Sequence, residues 1–535
     1  MLKQKFVLSY STQVVNQILQ MVASIIVARI AGPSVLGTIA FGLAYVGMFG
    51  FIAQLGLGSA HMKMISEGKD LGNCISTYRV MNYFTTALFI VVTLGFLTFQ
   101  KFILHTNFET SDHIFVVIVF TMVYGIQALL GVAKTTFSAR IEQAKLDIPE
   151  LVRNVLLQIG RITIVLIGLR TKTLAVFNLA TVILVAVWIT YLFKEYPRGN
   201  YDKELAKAYI KIGIPIVILG FASGMISNLD KVLLQFYTNS EQVGYYGASF
   251  RLGGFISVIG ASIGMLFFPL FSKAAVAKDW EFIKSKISTF EKFSDLIVFP
   301  MVLFVAIYSD TIVYWLLGNK YLHSVIPLSL ITFGLYINIQ TMPYGNVIAG
   351  LGYFVLDAVW NIITVAYFVL VLILFIHPSL LNMAAHGAAI ALLSTYIFSG
   401  IWNRYYAKRL IPSLNLTKNL PLVSLIFLIA SVMFLVYRYV LGNPVDYFRY
   451  VILDPKVTSE MAFGSPGHYF RFVFPFLYFG LMYGVLWISK NIGKPDIQLI
   501  LTLVSPRKLK NYVVSEIVPT SFAEEIPDDP TSNDQ

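Results

Sequence analysis

The sequence predicts an all-α, polytopic integral membrane protein of about 14 transmembrane helices, and three observations lead there. The chain has 535 residues, 57% hydrophobic and only 13% charged, about half the charged share of a soluble domain. Its apolar residues gather into runs that reach the ~20 residues a helix needs to cross a bilayer. Its cations are distributed very unevenly between alternate connecting segments, as the loops of a multi-pass protein are. Mean hydropathy is +0.73.

In order, the runs cover 8–31, 35–60, 80–100, 114–133, 154–169, 173–193, 212–236, 244–271, 295–317, 324–350, 354–376, 386–403, 420–440 and 472–489. The tight turn Gly350-Leu351-Gly352 separates the tenth from the eleventh. With the N-terminus in the cytoplasm, the inside segments hold 28 of the 40 Lys and Arg, the outside segments eight, and four lie within spans. One missed span would exchange the sides of every later loop and erase this bias. Both termini are therefore expected inside. The opening MLKQKFVLSYSTQVVNQILQ does not read as a secretory leader, because polar residues interrupt its apolar stretch.

Internal similarity subdivides the chain. Setting Gly37 on Gly244, at an offset of 207, also sets Gly47 on Gly254, Leu36 on Val243 and Ile26 on Leu233. Both stretches join one span to the next through a short outside turn. Spans 1–6 and 7–12 then form two six-helix lobes, 1–207 and 208–418, in a pseudo-two-fold repeat. Residues 419–490 add helices 13 and 14 with an exterior loop, 441–471. Residues 491–535 form a cytoplasmic tail whose acidic end, FAEEIPDDPTSNDQ, reads as disordered. Both second helices are rich in glycine (Gly37, Gly42, Gly47 and Gly50; Gly244, Gly247, Gly253 and Gly254), which suits close helix packing or hinging.

Several function classes fall away. The single cysteine, Cys74, excludes an intramolecular disulfide framework. The seven histidines show no zinc-binding spacing, so no metal site is expected. No phosphate-binding GxxxxGK[ST] loop appears, which argues against ATP hydrolysis. The net charge of +12 reads as membrane orientation rather than nucleic-acid binding. The exterior loop offers Asp446, Arg449, Asp454, Glu460 and His468 in no catalytic constellation.

Polar residues inside spans are the candidate site. In span 1, Ser9, Gln13, Asn16, Gln17, Gln20 and Ser24 share one helical face. That face must meet protein or water, either as interhelical hydrogen bonds or as a cavity lining for sugar hydroxyls. Arg29 lies about 160° from Gln13 around the helix and close to its outside end, where it anchors the helix end, contacts a gate or reaches substrate. Ser223, Ser227, Asp230 and Lys231 fall within an arc of about 100° on span 7. Asp230 is either a packed partner of Lys231 or the carrier of a coupling H+ or Na+. Arg161, mid-span in LQIGRITIVL, is too deep to reach the interface, and a guanidinium there suits a diphosphate. Arg251, two turns into span 8, is similar but shallower. Together Arg29, Arg161, Lys231 and Arg251 outnumber Asp230 by three charges, which favours an anionic substrate over a cationic drug.

The stretches VARIAGPSVLG (27–37) and FIAQLGLGSAHMKMIS (51–66) resemble the opening of the polysaccharide-biosynthesis flippases. These belong to the multidrug/oligosaccharidyl-lipid/polysaccharide (MOP) exporter superfamily. NLDKVLLQFYTNSEQVGYYGASFRL (228–252) and WLLGNKYLHSVIPLSLI (315–331) resemble that family's seventh-to-eighth helix signature and the segment before its tenth helix. The likeness spans roughly residues 1–410; the exterior loop and the acidic tail lie outside it. It implies a fold like that of the multidrug exporters (MATE), in the cytoplasmic membrane, with two lobes around a central cavity. It implies translocation of a polyprenyl-diphosphate-linked oligosaccharide by alternating access, without bond chemistry. The expected partners are that glycan lipid, membrane lipids and other polysaccharide-assembly proteins, with no nucleic acid. No cofactor is expected beyond a coupling H+ or Na+. The alternatives are a cation-coupled small-molecule exporter and, more remotely, a membrane glycan polymerase or ligase.

Overall fold

The computed structural model describes residues 2–103, 108–412, 414, 419–441 and 468–489. Among them are sixteen α-helices and two short 3-10 turns, with no strand. They run as α1 (Leu2–Ala31), α2 (Pro33–Gln54), α3 (Leu57–Ser66), α4 (Leu71–Phe102), α5 (Ser111–Leu129), α6 (Gly131–Ala139), α7 (Gln143–Leu166) and α8 (Thr171–Leu192). Then come α9 (Lys203–Tyr237), α10 (Ser240–Val276), α11 (Trp280–Leu317), α12 (Val325–Gly350), α13 (Phe354–Ile376), α14 (Ala384–Leu410), α15 (Leu420–Leu441) and α16 (His468–Ile488). Every expected span coincides with one of these helices or with a broken pair. The exterior loop beyond Leu441 and the tail beyond Ser489 lie outside the described residues.

Local chemistry sets the boundaries. Gly32, at φ +83°, turns the chain, and Pro33 opens α2 where its missing N–H costs nothing. Asp70, Asp202 and Asp279 each cap a long helix by accepting backbone N–H bonds, at 2.7 Å from Asn73, 2.8 Å from Glu204 and 3.0 Å from Phe282. These caps lie in polar water-facing segments, so α4, α9 and α11 start well before the apolar runs that revealed them. The second span is broken: Leu55 and Gly56 both take left-handed φ, 40° and 67°, between α2 and α3. A Cβ on Gly56 would lie 2.8 Å from the Gly213 carbonyl oxygen, so glycine is required there on both counts.

Ten stretches among the described residues are long and apolar enough to cross a membrane by length and composition. Large apolar side chains such as Phe84, Val91, Val187, Leu370 and Phe476 stay exposed, as lipid-facing residues do.

The two lobes have one packing plan. In the first, α1 packs on α7, α2 on α4 and α5, α5 on α4 and α8, and α7 on α8. In the second, α9 packs on α13, α10 on α11 and α12, α12 on α11 and α14, and α13 on α14. Each pair in one list has its counterpart in the other. The helices α15 and α16 pack on each other and on α11. The boundary expected at 207/208 falls inside the first turns of α9.

The lobes meet unequally along their length. Let the Gly32 end be where α1 turns into α2, and the Gly56 end the opposite one. Toward the Gly32 end one continuous core takes in Val27, Leu36 and Phe41 with Val243, Tyr246, Val313 and Ala385, from both lobes. At the Gly56 end the cores are separate. Leu57, Ile75 and Tyr78 form one that takes in Tyr209 of α9, and Ile283, Ile287, Tyr344 and Ala407 form another. The seam between α2 and α9 is packed, whereas α1 meets α10 only sparsely.

Candidate functional site: the interior between the lobes

At the Gly32 end the seal begins with backbone. A Cβ on Gly37 would lie 1.7 Å from the Ser240 carbonyl oxygen, and one on Gly244 would lie 2.1 Å from the Pro33 carbonyl oxygen. The two glycines that the repeat equates thus face each other's helix across the lobe boundary. No larger residue permits that approach.

A polar cluster covers this crossing. Glu109, just before α5, accepts hydrogen bonds from the Ser240 N–H at 2.7 Å, the Ser240 hydroxyl at 2.6 Å and Gln235 Nε2 at 3.0 Å. A carboxylate of the first lobe therefore caps α10 of the second, where the helix dipole favours negative charge. Buried His113 sits behind it: Nδ1 lies 3.3 Å from the Thr110 N–H, and Nε2 lies 2.9 Å from Ser240 Oγ. Partial burial opposes the Glu109 charge, but the bonds from Ser240 and Gln235, with His113 nearby, overcome it. The carboxyl is held below the usual glutamate range. Arg29 adds one contact between the lobes, with Nη1 donating to the Trp315 carbonyl at 3.1 Å in an exposed position. The sequence left Arg29 open between anchor, gate and substrate; its position is at the seal.

Behind the seal lie the other polar residues. On α1, which packs on α7, Gln17 and Gln20 are exposed and Asn16 is half-buried. The Asn16 Oδ1 has no partner among the described residues; the Gln13 side chain lies outside them. Arg161 on α7 donates to Gln158 Oε1 at 3.2 Å and meets no carboxylate among the described residues. Arg251 on α10 makes no hydrogen bond or ion pair among the described residues, and its neighbour Tyr321 has a buried hydroxyl without a partner. The Arg251 side chain is exposed, although it lies in a long apolar helix. The two guanidinium groups come one from each lobe.

Lys231 and Asp230 are placed differently. Lys231 Nζ is 3.0 Å from Asp230 Oδ1 and 2.7 Å from the Ser227 carbonyl, and it lies over the Phe250 ring at 5.1 Å. Tyr246 donates to Asp230 Oδ2 at 2.6 Å, and Asp230 is 1% exposed. The pair neutralises itself and turns away from solvent. With Lys231 paired and Arg29 at the seal, the cations of the predicted set left without an ion pair among the described residues are Arg161 and Arg251.

Sequence reasoning missed Glu109, His113, Gln235 and Ser240, because three of them lie at span ends and none forms a motif with another. It also missed Glu291, Asp295 and Arg404, which meet where α11, α12 and α14 pack. The i,i+4 acidic spacing in EKFSD (291–295) was the signal available; the caps placed the start of the helix far enough upstream to bury both.

The sequence matches the family described as polysaccharide biosynthesis protein over residues 26–326. No curated protein matches it. Among solved structures, the fold is similar to that of the lipid II flippase MurJ in an inward closed conformation, at TM-score 0.66 and 13% identity, covering 90% of this chain and 99% of that one. It is similar to an inward-facing multidrug resistance MATE family transporter of the MOP superfamily, at TM-score 0.58 and 13% identity, covering 74% and 96%. A MOP superfamily transporter from Pyrococcus furiosus matches at TM-score 0.51 and 14% identity, covering 76% and 94%. At these identities the likeness is one of fold.

Proposed function

Since the chain belongs to the polysaccharide biosynthesis protein family, we propose that it is a flippase for polyprenyl-diphosphate-linked oligosaccharide in the cytoplasmic membrane. The observation that carries this reading is that Arg161 and Arg251, one from each lobe, lie within spans without a carboxylate partner among the described residues. Two forked cations suit a diphosphate, which accepts paired N–H bonds from each. They repel a cationic drug by the same field. Gln17 and Gln20 add neutral donors and acceptors suited to sugar hydroxyls.

On this reading both termini are cytoplasmic and the Gly32 end faces outside. The state described here is then closed outward, with its lobes parted toward the cytoplasm. The headgroup enters between the separate cores, the guanidinium pair takes the diphosphate, and the mutual repulsion of the two arginines falls. The lobes then close at the Gly56 end while the Gly37–Gly244 crossing parts, which exposes the headgroup outside. The polyprenyl tail stays in lipid throughout. Lobe 1–207, lobe 208–418 and the appended 419–490 segment would move as the units of this cycle.

The test is leaflet-to-leaflet movement of a labelled polyprenyl-diphosphate oligosaccharide in proteoliposomes. Wild type moves it, and Arg161→Ala loses at least tenfold of the rate with its melting temperature unchanged. Efflux of a small cationic dye with no movement of the glycan lipid would establish the exporter instead.

A further inference from the structure

The second lobe holds a group that the flipping cycle above does not use. On α11, Glu291 and Asp295 lie one turn apart, both buried. Glu291 has a cation: Arg404 Nη2 is 3.6 Å from its Oε1, which also accepts from Tyr344 Oη at 2.6 Å. Asp295, 2% exposed, forms no ion pair of its own among the described residues; Arg404 acts on it only from beyond contact distance. Its donors are neutral, Tyr336 Oη at 2.6 Å and Gln340 Nε2, and both reach Oδ1. No hydrogen bond among the described residues reaches Oδ2. The other titratable groups are Lys292, between the two acids on α11 and engaged elsewhere, and Tyr483 and Tyr478 of α16, which donate to α11 carbonyls instead, at Leu296 and Pro300.

The charges do not balance as they stand. Arg404 is one cation serving two carboxylates, so with Glu291 and Asp295 both ionised this buried trio carries an excess negative charge, a costly arrangement within a membrane protein. Two further observations point to a ligand. Gln340, 4% exposed, has its amide against Asp295 with Oε1 unpartnered, and Ser294, 1% exposed, has an unpartnered hydroxyl beside it on α11. A pocket at the Gly56 end, lined by Lys284, Ser285, Ser288, Glu291 and Tyr344, runs to the Glu291 carboxylate, one turn from Asp295.

We propose that the Glu291–Asp295 pair is a proton-binding site loaded through this pocket, with the proton on Asp295 Oδ2. Binding converts the Asp295 carboxylate to its neutral acid, and the proton comes from pocket water. Asp230, the acid that the sequence put forward for coupling, has its charge answered by Lys231 and Tyr246 and has no such need. If the chain transports as proposed, Asp295 is where a proton gradient acts on it; the site itself stands or falls independently of the cargo.

Difference infrared spectroscopy of the full chain in nanodiscs tests this directly, through the carbonyl stretch of a protonated carboxylic acid. Wild type at neutral pH shows the band, Asp295→Asn removes it, and Asp230→Asn leaves it. Tyr336→Phe, which keeps the acid, raises the band's frequency by removing a hydrogen bond; this variant decides the matter if Asp295→Asn does not fold. A wild-type spectrum without the band, or a band unaffected by both Asp295→Asn and Tyr336→Phe, overturns the assignment. A band that disappears on replacing K+ by Na+ also overturns it and makes this a sodium site.

Discussion

Helices α4 and α11 hold equivalent places in their lobes but carry different chemistry. Buried polar residues on α4 are neutral: Asn82, Thr85, Thr86, Thr93 and Gln100. Those on α11 include Glu291, Asp295 and Asp310. At the offset of 207 that relates the repeats, the partners of Glu291 and Asp295 are Phe84 and Leu88, which are 69% and 39% exposed. The reason lies in what covers each helix. Seven large apolar side chains of α4 face outward, from Val80 to Phe102, whereas none on α11 does among the described residues. The appended helices α15 and α16 lie over α11, and Phe474, Tyr478, Met482 and Leu486 of α16 share a core with Leu296, Val302 and Ile307. Tyr437 of α15 donates to Asp310 at 3.3 Å. A helix facing lipid cannot hold carboxylates, and a covered one can. Two added helices thus let one copy of a repeated lobe diverge into an acidic one.

Moving the charge is the sharpest way to break this comparison. Leu88→Asp puts a carboxylate on α4 at the place of Asp295, facing lipid without partners. Burying a charge at mid-span costs about 2.5–3.5 kcal/mol or more, so the variant should lose most of its yield of folded protein, read as the monodisperse peak in detergent. The opposite change, Asp295→Leu, should leave that yield near wild type. Equal loss in both would show that cover by α15 and α16 does not set the difference.

The crossing glycines tie the lobes together where they are alike. Gly37→Ala and Gly244→Ala should act equally, since each Cβ meets backbone of the other lobe. Overpacking of this kind costs about 1–3 kcal/mol, enough to shift the closed state at the Gly32 end by roughly fivefold or more. Spin labels on α2 and α10 would report a longer distance in both variants. Cys74 is buried and leaves the labelling undisturbed.

The smallest effect is electrostatic and belongs to one lobe only. Glu109 is held below its usual range chiefly by hydrogen bonds from Ser240 and Gln235 of the other lobe, which join the lobes at the closed Gly32 end. A carboxylate lowered in the closed form favours that form above its ordinary titration range, and the benefit is lost as pH falls through the lower closed-state value. Acidification should therefore lengthen the same spin-label distance, and Glu109→Gln should remove the pH dependence. A wild-type distance constant across acid pH would show that Glu109 does not hold the end shut.

Much of this molecule follows from its sequence. Apolar runs and loop charges specify the helices and their alternation, because a bilayer lets no other backbone cross. The repeat offset located Gly37 and Gly244, and the polar residues within spans located Arg161 and Arg251. The sequence could not say which cations keep their charge. Lys231 and Arg161 look alike in a hydropathy profile, and only packing shows that Asp230 pairs with the one while the other bonds, among the described residues, to Gln158. Nor could it join Glu109 to Ser240 or Asp295 to Gln340, separated by 131 and 45 positions. Such partners are chosen by how helices lie against one another, and that arrangement leaves no periodic trace along the chain.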